Sequence, residues 1–325
     1  MYTQWRFILM TLDPVHIGTG GYRLGRVDLS IACEPGTNLP KIPGTSLSGA
    51  ARTYAAYRYG RPECAGQGQG DEVRGKKPHC RDRNCPVCYT FGYIRGPEGG
   101  HAGTVSIADA QLLLFPVHSM AGPVWVSTAE RLREAGIKVE PLTLSRGECA
   151  TTLPERSVPQ TDRASGAPER DRLLNVGWLM LRCRREAVQV QPPSGAVEGD
   201  VAWQAVARRL VVIDEGLFPQ VVNSNLEVRT SVSIEPATGA AREGALFTYE
   251  ALPRATWLWG DVVEDDYRPE GFPAGNEKAA SLGHTRPWHV VRDGLELAEY
   301  LGIGGMGTRG FGRIRLTHEW KVSHG

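Results

Sequence analysis

Four cysteines, Cys64, Cys80, Cys85 and Cys88, crowd one short stretch of the chain, with His79 beside the second of them. Structural zinc takes four nitrogen or sulfur ligands in a tetrahedron, and a Cys-x-x-Cys turn such as 85–88 supplies two of them. The other two are to be drawn from Cys64, His79 and Cys80. Neighbouring ligands at 79 and 80 are geometrically awkward, so Cys64 is expected to replace one. The stretch has no hydrophobic face, so packing alone is a poor reason for four thiols. Four protein ligands point to a structural rather than a catalytic ion. Cys33, Cys149 and Cys183 are scattered and read as buried or incidental thiols.

A second chemistry sits near the C-terminus, in Leu301-Gly-Ile-Gly-Gly-Met-Gly-Thr-Arg-Gly-Phe-Gly-Arg-Ile-Arg-Leu316. Glycine serves where φ must be positive or where a ligand comes close to the backbone. Amide-rich loops with a nearby arginine cradle phosphates, which singles out Gly304, Gly305, Thr308 and Arg309. A dinucleotide fingerprint must open a helix and meet an acidic residue roughly 20 positions later. Here a strand-like Arg313-Ile-Arg-Leu316 follows and the sequence stops at Gly325. A P-loop needs Gly-Lys-Ser/Thr, which is missing. Polymeric phosphate remains. Arg309-Gly-Phe-Gly312 echoes an RNA-stacking octapeptide, but Arg313 stands where a second aromatic belongs, which favours backbone gripping.

Three further positions carry possible chemistry. Thr45 or Ser46 is the expected N-cap of a helix whose first amides and dipole favour an anion. Asp28 lies where a loop enters an apolar run, and His16 is a candidate general base. Each also has a plain reading, as a capped helix, a solvated carboxylate and a satisfied histidine.

At 325 residues, 35.5 kDa and net charge +1, the chain can bury a sizeable core and is no whole-surface polyanion binder. A nucleic-acid site must be a local patch, and the arginine-rich basic set suits bidentate phosphate contacts. The N-terminus reads as a strand rather than a signal peptide, and no run approaches the roughly 20 apolar residues of a membrane span. A cytoplasmic protein with reduced thiols is expected.

The elements that must position these groups follow from periodicity. Residues 6–12 and 27–33 read as strands, 42–58 as a loop entering a helix, and 105–116 as one strand. Residues 128–136 and 203–210 are expected to be helical, 210–214 a strand, and 291–301 the last helix. Residues 225–249 read as a long hairpin turning at Pro236-Ala-Thr-Gly239. Short strands and few helices without βα repeats give an α+β fold, on a ferredoxin-like or RRM-type sheet. The expectation is a single domain over 1–325, with insertions at 60–90 (zinc knuckle), 146–172 (loop or subdomain), 221–250 (hairpin) and 265–286 (loop).

Taken together, these segments resemble the RAMP superfamily of CRISPR proteins. The residues that carry the likeness are Thr11-Leu-Asp-Pro-Val-His-Ile-Gly-Thr-Gly20, Gly25-Arg-Val-Asp-Leu29 and Ile42-Pro-Gly-Thr-Ser-Leu-Ser-Gly-Ala-Ala-Arg52, with the stretch 106–122 especially diagnostic. Residues 210–214, 227–235, 243–247 and the glycine run continue it in the same order. Within the family the chain is most similar to the repeated backbone subunit of type III-B (Cmr) effector complexes, and similar also to the type III-A counterpart.

The resemblance implies copies of the chain stacked in a helical filament on one CRISPR guide RNA, with other type III effector subunits and a complementary target RNA as partners. Its hairpin, a thumb, would wedge between nucleotides, with Arg229 and Val232 as contacts. It implies an endoribonuclease that cuts the target at about six-nucleotide intervals with Mg2+ or another divalent ion. The flipped geometry would let a 2′-hydroxyl attack the adjacent phosphate in line, with Asp28 either taking its proton or holding the ion. Relatives often carry a lysine where this chain has Ser48, so the basic contact of that helix is either absent or moved to Arg52. The alternatives are a non-catalytic guide-RNA scaffold, and a stand-alone guide-processing nuclease using His16.

Overall fold

The structure is a computed structural model. It describes residues 2–20, 27–66, 79–80, 82, 84–94, 100–160, 172–192, 197, 199–242 and 246–322. The chain forms two compact units: residues 1–19, 41–111 and 259–325 make the first, and residues 20–40 with 112–258 make the second. Both combine strands with helices, as the α+β reading expects.

In the first unit the strand Thr3–Thr11 pairs antiparallel with the C-terminal strand Ile314–Lys321, with a register shift between Ile8 and Leu9. The strand Trp257–Glu264, which belongs to this unit from Trp259 onward, lies on the other side of Thr3–Thr11 and also pairs with Val105–Ile107. Phe7, Ile8 and Leu9 are fully buried. The first helix, Gly44–Arg58, buries Leu47, Ala51, Ala55 and Ala56. The C-terminal helix, Pro287–Leu301, buries Val290, Val291, Leu295 and Ala298, an apolar stripe at helical spacing. The two cross closely at Gly294, where a Cβ would lie 2.0 Å from the Ala51 carbonyl oxygen. Only glycine fits there.

In the second unit a mixed sheet runs through Gln111–Ser119, Gly122–Ser127, Leu210–Ile213, Glu148–Thr151, Leu179–Cys183 and Leu173–Val176. Leu210–Ile213 is buried at every position, as a run of apolar β-branched residues in mid-sheet should be. Apart from this sheet stands the antiparallel pair Glu227–Ser231 and Phe247–Ala251. Beyond it, a bridge between Ile234 and Ala241 and a turn closed by Gly239 N–H on Glu235 O carry the hairpin outward.

Several expected elements take a different form. The single strand expected over 105–116 is two, Val105–Ile107 and Gln111–Ser119. Between them the Asp109 carboxylate turns to cap the first helix. That helix starts at Gly44 with Pro43 as its N-cap, not at Thr45 or Ser46: Asp109 Oδ1 accepts from Gly44 N at 2.8 Å, and Lys41 Nζ lies 2.5 Å from Oδ2. Residues 27–33 form isolated bridges rather than a strand, because side chains of the hairpin take part of their backbone pairing. The stretch 146–172 contains the sheet strand Glu148–Thr151, and 265–286 contains the helix Glu277–Ser281, capped by Asn276. Residues 25–26, 67–78, 161–171 and 243–245, which the sequence reading used, lie outside the described residues.

Candidate functional site

The cysteine insertion folds so that its thiols converge. Cys64 ends the turn Pro62–Cys64, Cys85 precedes the helix Pro86–Phe91, and Cys88 lies within that helix, one turn on. Proline at the first helical position fixes the backbone so that both sulfurs of the Cys-x-x-Cys turn face one way. The sulfurs of Cys64, Cys80, Cys85 and Cys88 all lie within 4.8 Å of one another. Three separations are 3.9 Å (Cys64–Cys85), 3.9 Å (Cys80–Cys88) and 3.5 Å (Cys88–Cys64). Four sulfurs about 2.3 Å from a tetrahedral zinc would stand about 3.8 Å apart. The cluster is therefore a fit for such an ion. Contacts with Cys64 hold Cys80 and Cys85 toward the thiolate, as a metal requires, while contacts among the same sulfurs push Cys64 and Cys88 up. His79 stands outside this group, with its buried ring tilted on Tyr93 at 4.3 Å.

In the same unit the glycine run and the first helix line an open cavity of about 350 Å³. Ser46, Gly49, Thr53 and Tyr54 line one side, and Gly302, Gly304, Gly307 and Phe311 line the other. The loop is held open by backbone that only glycine adopts easily: φ is +74° at Gly302, +78° at Gly304 and +99° at Gly312. A Cβ on Gly304 would lie 2.5 Å from the His16 carbonyl oxygen. The Tyr54 hydroxyl donates to the Gly302 carbonyl, which fixes helix to loop. Gly305 N donates to His16 O at 2.9 Å, and Gly312 N donates to Pro14 O at 2.9 Å.

In the second unit Asp28 is exposed yet fixed. Its Oδ2 accepts from Thr248 N at 2.7 Å and from Thr248 Oγ1 at 2.9 Å, and its own N donates to Thr248 Oγ1 at 3.1 Å. These bonds, the backbone one first, hold the carboxyl below its ordinary value. Leu29 N donates to Thr248 O and Ile31 N to Glu250 Oε1, so the whole segment rides on the hairpin strand Phe247–Ala251. The outer hairpin exposes Val228, Val232, Ile234 and Leu246. So many exposed apolar groups on one arm suit a surface that meets a partner.

A family model of the RAMP superfamily matches residues 8–315. This chain belongs to the RAMP superfamily. It is 24% identical over 331 residues to the CRISPR system Cmr endoribonuclease Cmr4 of Pyrococcus furiosus, spanning 98% of this chain and 96% of that one. Its fold resembles that of a chain in the type III-B Cmr-beta complex bound to cognate target RNA, with TM-score 0.59, 15% identity and coverage of 97% and 96%. It also resembles oligomeric Cmr4 from Pyrococcus furiosus, with TM-score 0.52, 18% identity and coverage of 99% of both chains.

On this RAMP fold the site residues named from sequence fall into separate places. Ser46 lines the cavity, Thr45 is exposed at the helix start, and Gly304 and Gly305 form the loop against His16. Thr308 and Arg309 are exposed in the turn Gly307–Arg309. The His16 ring is buried beneath the loop, where a Cβ on Gly18 would come within 3.2 Å of Nε2. Arg52 points away from the cavity: its Nε donates to Cys64 O at 2.8 Å. Arg229 is exposed and paired with Glu227 at 2.6 Å. Tyr54, Phe311, Asp109 and Thr248 were missed by sequence reading. Their partners are far away in the chain, and no local spacing signals them.

Proposed function

We propose that this chain is the repeated backbone subunit of a type III-B CRISPR effector, binding a guide RNA and cleaving the complementary target RNA. The observation that carries the reading is the fixed, exposed carboxylate of Asp28, hydrogen-bonded to the base of a projecting hairpin. The Cmr4 relative is an endoribonuclease and is matched over almost the whole length of both chains, which supports the same chemistry here.

The glycine cavity is assigned to the guide backbone. Ser46 and the glycine backbone of its lining, with the nearby turn that carries Thr308 and Arg309, suit phosphate. The cap on Gly44 by Asp109 already uses the first amide of the helix. The hairpin is assigned as the thumb: Val232 and its exposed apolar neighbours would unstack a nucleotide, and Arg229 would exchange Glu227 for a phosphate.

Cleavage is read as in-line attack of a 2′-hydroxyl on the adjacent phosphate at each displaced nucleotide, at about six-nucleotide intervals. The bond from phosphorus to the 2′-oxygen forms as the bond to the 5′-oxygen of the next nucleotide breaks, leaving a 2′,3′-cyclic phosphate, and the hydroxyl proton passes to solvent. Positioning by the hairpin supplies much of the acceleration. Asp28 would hold a divalent ion such as Mg2+, which when bound neutralises charge on the phosphate. A carboxylate held below its ordinary value is a poor proton acceptor near neutrality, and this favours the ion-holding role over that of base. The four thiols would hold a structural zinc, and the burial of His16 speaks against its serving as a base.

The reading is tested by purifying the chain with its partners from the source cell. A short RNA should co-elute, and added complementary RNA should be cut into an evenly spaced ladder in Mg2+. Absence of any bound RNA would rule it out.

A further inference from the structure

Asp28 and Thr248 are 220 residues apart in sequence and share three hydrogen bonds. The Thr248 hydroxyl donates to Asp28 Oδ2 and accepts from Asp28 N, so one side chain sets both the carboxylate and the backbone that carries it. Thr248 also sits in the first residues of the returning hairpin strand, directly across from Thr230. The arm assigned to displace a nucleotide and the carboxylate assigned to the cut therefore meet at one residue, Thr248. We propose that Thr248 is a positioning residue for the cleavage step, holding the Asp28 carboxylate in one rotamer through two bonds to Oδ2, in register with the hairpin. The inference rests on the endoribonuclease reading of Asp28.

The charged groups around this contact do not substitute for the hydroxyl. Glu250, on the same strand face, is engaged with Ile31 N at 3.2 Å. Glu227 and Arg229 lie on the other face of the hairpin and pair with each other. The bonds to Thr248 are what lower the Asp28 carboxyl. A carboxylate held by hydrogen-bond partners behind it is a familiar way to tune a metal ligand, and losing such partners typically costs about 10- to 100-fold in metal affinity or activity.

Two substitutions separate this from a general structural role. Thr248→Val keeps the shape, the strand propensity and the backbone N–H but loses the hydroxyl. Thr248→Ser keeps the hydroxyl. In the assembled, guide-loaded complex, Thr248→Val should lower Mg2+-dependent target cleavage about 10- to 100-fold and raise the Mg2+ concentration needed for half-maximal rate. Guide retention should not change, and Thr248→Ser should recover most of the rate. Wild-type cleavage with an unchanged Mg2+ requirement in Thr248→Val would overturn the proposal.

A second readout does not depend on cleavage. The Asp28 χ1 angle, read from three-bond NMR couplings in the full chain, should stay in one rotamer in wild type and Thr248→Ser and become averaged in Thr248→Val. A single unchanged rotamer in Thr248→Val overturns the positioning role even if cleavage falls. A guide-loaded wild-type complex that cuts no target would instead defeat the endoribonuclease reading, and the couplings would still decide what Thr248 does to Asp28.

Discussion

Arg52 Nε donates to the carbonyl oxygen of Cys64 at 2.8 Å, tying the first helix to the thiol cluster by the face opposite its cavity lining. Cys64 is fully buried, so its carbonyl has no water to turn to if Arg52 is lost. Truncation by Arg52→Ala should cost about 1–3 kcal/mol in chemical denaturation, the penalty of one buried unsatisfied acceptor. Guide binding should weaken along with stability, because Ser46 and Tyr54 lie on the same helix.

The thiol cluster should carry about one zinc per chain, measured by elemental analysis of the purified protein. Chelation should lower the melting temperature, and Cys88→Ser should lose the metal. The packing around Tyr59, Val87 and Val290 would then loosen, since all three share a buried cluster with the cysteines. A metal-free chain with an unchanged melting temperature after chelator treatment would contradict this.

Glycines of the loop should differ sharply among themselves. At Gly304 an alanine would meet both the positive φ and a Cβ within 2.5 Å of the His16 carbonyl oxygen. A loss of at least about 2 kcal/mol is expected, the left-handed conformation alone costing 1–2. Gly307 has open space around a Cβ, so Gly307→Ala should stay within about 0.5 kcal/mol of wild type in the same thermal melts.

A buried ionisable cluster makes a pH prediction. Burial pushes Asp293 up to about 6, with Arg58 at 3.5 Å pulling the other way. Burial pushes His289 down to about 4, and His284 shifts in the same direction. Between pH 4 and 6 the folded chain binds a proton at Asp293 that the unfolded chain does not, so acidification through this window stabilises the fold. The histidines bind protons only when unfolded, so acidification from about 6.5 to 4 destabilises it. The two effects oppose each other in wild type. Asp293→Asn should unmask the histidines, and its stability should fall more steeply over that window by about 1–3 kcal/mol, read from denaturation curves at several pH values.

The exposed apolar groups of the hairpin contribute little to folding and should matter for RNA. Val232→Asp with Ile234→Asp should leave the melting temperature nearly unchanged, because both side chains are more than 40% exposed. Assembly on guide RNA, followed by size-exclusion chromatography, should fail.

What the sequence revealed was what depends on local spacing. The Cys-x-x-Cys turn, the glycine run, the hairpin around Pro236 to Gly239 and the stripe of the C-terminal helix all have periods or turn residues that are readable in a short window. The cap on the first helix was misplaced because Asp109, 65 residues away from Gly44, outcompetes Thr45 and Ser46. The strand expected at 27–33 was lost for the same kind of reason: Thr248 and Glu250 take its hydrogen bonds from more than 200 residues away. Arg52 was named through the resemblance, as a place to which the lysine contact missing at Ser48 could move; its Nε bond to Cys64 O is set by packing and leaves no local mark. The division into two non-contiguous units also leaves no local mark.

The most direct measurement compares the guide-loaded wild-type complex with one carrying Asp28→Asn, which keeps size and polarity but loses the charge. With complementary RNA and Mg2+, wild type should give an evenly spaced ladder, and Asp28→Asn should bind guide and target yet leave the target intact. Equal cleavage by the two complexes would contradict the role given to Asp28.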